Sequence, residues 1–398
     1  MRSYAEDTAA EGREILPDLT RAWALFGIAV VNVGVLSWPM MSSYHDGGLP
    51  GMADYTAFYL VCALFLLKSY SLFSFMFGVG FAYQMKSAER RSVGFAGRYW
   101  RRILGLFAFG LLNIFCFFIG DILVIYAVLG SVLFLFRNTS AKTLLGWAIG
   151  IYAVQVLFIA FMTFAVWAGV TYAPDDMAKA AVEMGEVDVV AREIFTTAGF
   201  LETSLYRLTT YAENFITFIL FQGIGALGFF LFGLAAVKSG VISDPTAPVW
   251  KMARRVALPL GLVASGAGAW LSVHGEGMLD PSMMAGFLLI AIGSPFSSFG
   301  YIGLIAKWAE GPGGPIRSFF ARGGTASLTA YLMQNAIMSF TFSAYGLGLF
   351  AELPAATCIL IGAVVALFSI AFTSLWRLWF ARGPLEVILR NWTYLGAR

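Results

Sequence analysis

The sequence predicts an all-α, polytopic membrane helix bundle, and three observations carry that prediction. Of its 398 residues, 59% are hydrophobic and 16% aromatic, while only 12% are charged, against about 25% in soluble domains. Apolar runs long enough to cross about 30 Å of hydrocarbon recur from one end of the chain to the other. Cys62, Cys116 and Cys358 each lie inside such a run, with no Cys-x-x-Cys spacing, so they read as packing residues rather than a disulfide frame or a zinc site. The composition excludes collagen-like and disordered classes, and a net charge of +3 gives no support for a nucleic-acid partner.

Ten spans are predicted, near 21–40, 56–83, 102–118, 121–136, 144–170, 214–237, 256–273, 283–306, 325–350 and 354–376. Residues 1–17 are rich in charge and lack the basic region and small-residue cleavage site of a signal peptide, so the first span reads as an uncleaved anchor. The third and fourth spans are cut apart at Ile119-Gly120-Asp121, and the last two at Leu353-Pro354. Pro295 inside the eighth predicts a kink. An even number of spans puts both termini on one side. The segments on that side, from Arg2 and Arg13 to Arg398, hold 22 of the 26 Lys and Arg residues, so the positive-inside rule makes it the cytoplasm. The whole chain, 1–398, reads as a single membrane domain.

The one long loop, about 171–213, falls on the outer side and carries eight acidic residues against Lys179, Arg192 and Arg207. Met177, Ala181, Met184, Val187, Ala191, Ile194 and Ala198 step through it by three or four, which predicts an amphipathic helix near the outer surface. A solvated cap is the plainer reading of such a charged face, and a substrate lid the other.

Gly223-Ile-Gly225-Ala-Leu-Gly228 matches G-x-G-x-x-G letter for letter but sits mid-span with no preceding strand. Continued by Gly233, it reads as a helix-packing face where backbones approach closely. Polar side chains inside hydrocarbon are costly, so Asn32, Lys68, Asn113, Gln155, Gln222, Gln334 and Asn335 are expected to face an interior cavity or one another. Asn113, Gln155 and Gln222 read first as interhelical hydrogen-bonding groups. Lys68 heads a polar stretch with Ser69, Tyr70, Ser71 and Ser74. It either faces the interior, with Asp54 and Asp121 as candidate partners, or snorkels to the outer interface. The sharper expectation is a polar region shared by Lys68 and Asp121. Of the two histidines, His45 and His274, His45 is the better candidate base because Asp46 adjoins it and Asn32 precedes it on the first span.

Several blocks carry a family likeness. Arg13-x4-Asp18-x2-Arg21-x2-Ala24-Leu25-x-Gly27-Ile28-x2-Val31-Asn32 resembles the opening of the YeiB-like family of bacterial inner-membrane proteins. Lys68-x3-Leu72-Phe73-Ser74-x2-Phe77-Gly78-x-Gly80 and Gly120-Asp121-Ile122-Leu123-x2-Tyr126-Ala127-x2-Gly130 are similar to its second- and fourth-span signatures. Leu328-Thr329-x-Tyr331-Leu332-x-Gln334, Tyr345-Gly346-x-Gly348-Leu349 and Gly383-Pro384-Leu385-Glu386 complete the pattern. Two positions depart from it: Ala22 stands where the family usually has glycine, and Asn113 where it usually has histidine.

That family is described as transport proteins and is also grouped with membrane acyltransferases of the heparan-α-glucosaminide N-acetyltransferase type, to which the Asp18-x-x-Arg21…Asn32 opening is similar. The resemblance implies passage of an acyl group from a cytoplasmic thioester donor, acyl-coenzyme A, to an outer-face or lipid acceptor. On that reading Asn32 corresponds to an asparagine of the acyl-transfer centre and His45 lies near its catalytic histidine. Lys68, Asp121, Gln334 and Asn335 then form the interior substrate site, and Arg98, Arg101 and Arg102 meet the donor phosphates. A small-molecule transporter or exporter is the rival expectation, and a structural subunit of a membrane complex the third.

Overall fold

A computed structural model describes residues 14–275 and 277–395, so Arg2, Arg13 and Arg398 lie outside it. Among the described residues there is no strand. The helices are α1 (Ile15–Ser37), α2 (Met52–Leu64), α3 (Lys68–Arg90), α4 (Phe95–Cys116), α5 (Leu123–Leu133), α6 (Ala141–Tyr172), α7 (Pro174–Thr197), α8 (Phe200–Phe218), α9 (Ile224–Lys238), α10 (Pro248–Met252), α11 (Leu258–His274), α12 (Pro281–Glu310), α13 (Pro315–Gly324), α14 (Ser327–Phe342), α15 (Ala355–Trp379) and α16 (Pro384–Thr393).

All ten predicted segments fall on helix, but the number long and apolar enough to cross a membrane among the described residues is seven. The other three are α4, whose first turns carry Arg98, Arg101 and Arg102, and α5 and α14, which are 11 and 16 residues long against about 20 for a full crossing. The protein is a membrane helix bundle that combines long spans with short inner helices.

One predicted span is broken. Residues 56–83 divide between α2 and α3, because Leu67 adopts φ 64°, a left-handed conformation that interrupts the backbone ladder. Side chains meet the carbonyls around the break, two of them distant in sequence: Tyr301 Oη donates to Leu64 at 2.9 Å and Ser294 Oγ to Leu67 at 3.0 Å, while the adjoining Lys68 Nζ donates to Cys62 at 3.2 Å. In hydrocarbon such a break survives only when protein groups take over these bonds. A similar device acts at Pro295, through which α12 runs as one helix. Proline removes the N–H that Ala291 would accept, and Tyr152 Oη donates to that carbonyl at 2.7 Å instead.

The glycine face of α9 packs as predicted. A Cβ at Gly225 would lie 2.9 Å from Tyr70 Oη, and one at Gly228 3.2 Å from the Ala148 carbonyl, while one at Gly233 would strike the backbone of Phe75. Before it, residues Ile219–Gly223 form a π turn, bridged by Gln155, whose amide donates to Leu220 at 2.9 Å and Phe221 at 3.1 Å and accepts from Gly225 N at 2.9 Å. The extra residue in that turn rotates the helix face, and Gln222, expected inside, is exposed.

The acidic stretch 171–213 is helical, with α7 burying Asp188, Ala191 and Phe195. It is fastened to the loop after α1: Asp188 accepts from Met41 N at 3.2 Å and Ser42 N at 2.7 Å, and Arg192 pairs with Asp46. The bundle thus has an acidic end, closed by α7, and a basic end, where α1, α4, α13 and α16 bring their arginines.

Candidate functional site

At the basic end a cavity of about 350 Å³ opens between α1, α3, α4, α5, α14 and α16. The inward face of α3 supplies Phe73, Met76, Phe77, Gly80 and Gln84, spaced by the helical repeat. Tyr126 and Tyr331 stand in the wall contributed by α5 and α14, and Arg21, Arg102, Arg382 and Arg390 line the rest with Glu386.

The charges in this wall are not equally available. Arg21 pairs with buried Asp18 at 2.8 Å. Glu386 caps α14, accepting from Leu328 N at 2.8 Å, Thr329 N at 3.1 Å and Thr329 Oγ1 at 2.6 Å, where the positive end of the helix favours a carboxylate. The Glu386 carboxylate approaches so closely that Gly383 has no room for a Cβ, which gives the Gly383-Pro384-Leu385-Glu386 block its physical meaning. Arg390 lies over the Tyr394 ring at 4.7 Å. Arg102 makes neither a hydrogen bond nor an ion pair among the described residues, yet faces the cavity. A desolvated guanidinium without a carboxylate is suited to an anionic ligand, phosphate above all.

Behind the wall is a buried polar cluster. Asp121 accepts from Asn113 Nδ2 at 2.7 Å and, at the start of α5, from Val124 N at 2.9 Å. Asn335 Nδ2 donates to Asn113 Oδ1 at 3.3 Å, and Tyr211 Oη to the Asp121 carbonyl at 3.3 Å. The ring of Tyr331 borders the cavity while its hydroxyl approaches Asp121 and Asn335 without completing a hydrogen bond to either; Asn335 Oδ1 is likewise unpaired. Tyr126 differs, its hydroxyl being engaged with Ser74 Oγ at 2.6 Å and the Tyr70 carbonyl at 3.2 Å.

The predicted site residues are therefore divided. Asp121 and Asn335 meet through Asn113, but Gln334, one position along α14, faces elsewhere and donates to Ser369 Oγ at 2.7 Å. Lys68 neither pairs with Asp121 nor snorkels: it is fully buried and bonded to Cys62 in the helix break. Asp54, its other candidate partner, instead accepts from Ala356 N at 3.0 Å at the start of α15. Of the arginine trio, Arg102 alone lines the cavity. Arg98 lies over Tyr394 and Arg101 donates to the Leu395 carbonyl, so both fasten α16 to α4.

His45 and Asn32 lie outside the cavity wall. The expected support from Asp46 is absent, since that carboxylate is held by Arg192. Burial pushes the His45 imidazole below its ordinary pKa, and its Nε2 has no partner among the described residues. Asn32 is half-buried on α1.

Arg207 is the residue that sequence reasoning assigned to the outer loop and the fold buries. It donates to Ser339 Oγ at 2.9 Å, Ser343 Oγ at 3.0 Å, Tyr345 Oη at 2.8 Å and the Cys116 carbonyl at 3.1 Å. A signal was available, because Ser327, Tyr331, Asn335, Ser339 and Ser343 recur every fourth position, a polar stripe on one helix face.

Comparison with known proteins adds three relatives and one family. Residues 236–396 match the family described as "Protein of unknown function (DUF418)". A protein of Bacillus subtilis described as "Uncharacterized protein YxaH" is 30% identical over 99% of this chain and 97% of its own. The Escherichia coli "Uncharacterized protein YeiB" is 23% identical over 97% of each chain, and the "Uncharacterized 39.9 kDa protein in amylase 3'region" of Bacillus acidopullulyticus is 24% identical over 95% of this chain and 92% of its own. No solved structure matches.

Proposed function

The chain belongs to the YeiB-like family, and from that premise we propose that it binds a phosphate-bearing thioester in the basic cavity and passes its acyl group to an acceptor at the membrane. The observation that carries this reading is Arg102, half-buried in the cavity wall, with no ion pair among the described residues, the Glu386 carboxylate of the same wall being engaged at the start of α14, and with Arg390 in that wall too. A cavity of about 350 Å³ suits the pantetheine arm and acyl end of an acyl-coenzyme A, with the nucleotide phosphates among the arginines at its mouth. The basic end then faces the cytoplasm, where such donors are made, in the inner membrane of a bacterium. The chain acts as one membrane domain.

The helix break at Leu67 favours a second reading, transport of a small organic anion. Discontinuous spans with freed carbonyls are a recurrent feature of transporter binding sites.

One experiment separates the two. Purified protein is titrated with acetyl-coenzyme A and then incubated with the acetyl-labelled donor and a total bacterial lipid extract. Acyl transfer predicts saturable binding, weakened about 10- to 100-fold by Arg102→Gln, the scale for losing a charge-assisted hydrogen bond, and label in the lipid fraction. Absence of binding overturns it and leaves transport, to be read as anion flux in proteoliposomes.

A further inference from the structure

The polar stripe of α14 runs from Ser327 to Ser343, the residue that ends the helix, about 24 Å at 1.5 Å per residue, most of the hydrocarbon thickness. It begins at the cavity with Ser327 and Tyr331, passes the Asn335–Asn113–Asp121 cluster, and ends on Arg207. Two buried atoms along it lack partners among the described residues, Tyr331 Oη and Asn335 Oδ1. The Tyr331 ring borders the cavity, and its hydroxyl approaches Asn335 and the Asp121 carboxyl group. Buried polar atoms left open in an otherwise satisfied network call for an explanation, and here they mark a point where a proton can change hands.

We infer that Tyr331 relays protons between the cavity and Asp121, making Asp121 the proton store of the site in place of His45. The relay opens toward the basic end alone, because the other end of the stripe is closed by Arg207, whose permanent charge repels a proton entering from the acidic side. The groups packed around Asp121 leave it few competitors. From α14 come Tyr331 and neutral Asn335, from α4 neutral Asn113, and from α8 Tyr211, whose hydroxyl is committed to the backbone carbonyl of Asp121.

The chemical role rests on the acyl-transfer reading. An acceptor hydroxyl oxygen bonds to the thioester carbonyl carbon as the carbon–sulfur bond breaks. At rest Asp121 holds the proton: Tyr331 Oη gives its own proton to the leaving sulfur as the Asp121 carboxyl replaces it, and the acceptor's hydroxyl proton returns to Asp121 through Tyr331 by the same path in reverse. Ester and thiol are the products, and no other reactant is needed.

Infrared spectroscopy tests the relay apart from that reading. The Asp121 carboxyl band, assigned by its loss in Asp121→Asn or its displacement in Asp121→Glu should the first variant not fold, is followed during transfer into deuterated buffer. Fast exchange is expected in the wild type, and loss of the fast phase in a Tyr331→Phe protein that melts at the same temperature as the wild type. Exchange at the wild-type rate in Tyr331→Phe, or no exchange in the wild type, overturns it. A protein that fails to bind coenzyme A yet shows Tyr331-dependent exchange would sink the acyl-transfer reading and leave the relay standing.

Discussion

The two ends of the bundle use charge differently. At the acidic end the charges are spent on architecture: Asp188 holds the loop after α1, Asp54 caps α15, exposed Asp46 pairs with Arg192, and buried Arg207 gathers four neutral acceptors from α4, α14 and the loop beyond it. At the basic end Glu386 and Arg21 are spent in the same way, but Arg102 faces the cavity with no ion pair among the described residues, the one carboxylate in that wall being committed to α14. A buried charge costs several kcal/mol unless it is paired or hydrogen-bonded. The difference teaches that a candidate site is found by subtracting the charges that build the fold and asking which remain.

The largest expected effect lies at the acidic end. Arg207→Met strips partners from Ser339, Ser343, Tyr345 and the Cys116 carbonyl, and each buried group left open costs about 1–3 kcal/mol. Thermal unfolding in detergent should show a loss of about 3 kcal/mol or more. An Arg207→Met protein as stable as the wild type would break the contrast between the ends.

Next in size is the coupling between Lys68 and Asp121. They belong to separate networks, so Lys68→Met and Asp121→Asn should add to within about 0.5 kcal/mol, as for independent sites. A double-mutant cycle giving about 1 kcal/mol or more of interaction would show that the break and the cluster form one polar region.

A smaller effect is expected in pH dependence. His45 has its pKa lowered by burial, so between its ordinary value, about 6.5, and its lower folded value the unfolded chain binds more protons than the folded one. Stability from this group is complete above the ordinary value and lost as pH falls through that window. His45→Gln should flatten the slope of melting temperature against pH on the acid side of neutrality. An unchanged slope would assign the acid sensitivity to another group.

Much of this was legible in the sequence, because long apolar runs have few structural solutions in a membrane. The glycines of α9 could be read from spacing alone. The break at Leu67 could not, since residues 61–67 are uniformly apolar and the groups that satisfy it, Ser294 and Tyr301, are more than 200 positions away. Gln222 was misplaced because a π turn shifts the helical register. His45 and Asp46 looked like a pair through adjacency, whereas Asp46 is claimed by Arg192 across the acidic end. In the arginine trio, helical geometry sends Arg98 and Arg101 to α16 and Arg102 to the cavity, a split that a basic cluster read as a unit conceals.

The central claim is that the unspent charge at the basic end binds an anion, and its most direct test is a pair of titrations with coenzyme A at low and high salt. Arg102→Gln at the basic end is set against Arg192→Gln at the acidic end. The account predicts that Arg102→Gln weakens binding about 10- to 100-fold and reduces its salt dependence, while Arg192→Gln leaves both as in the wild type. Equal losses in the two variants, or wild-type affinity in Arg102→Gln, would contradict it.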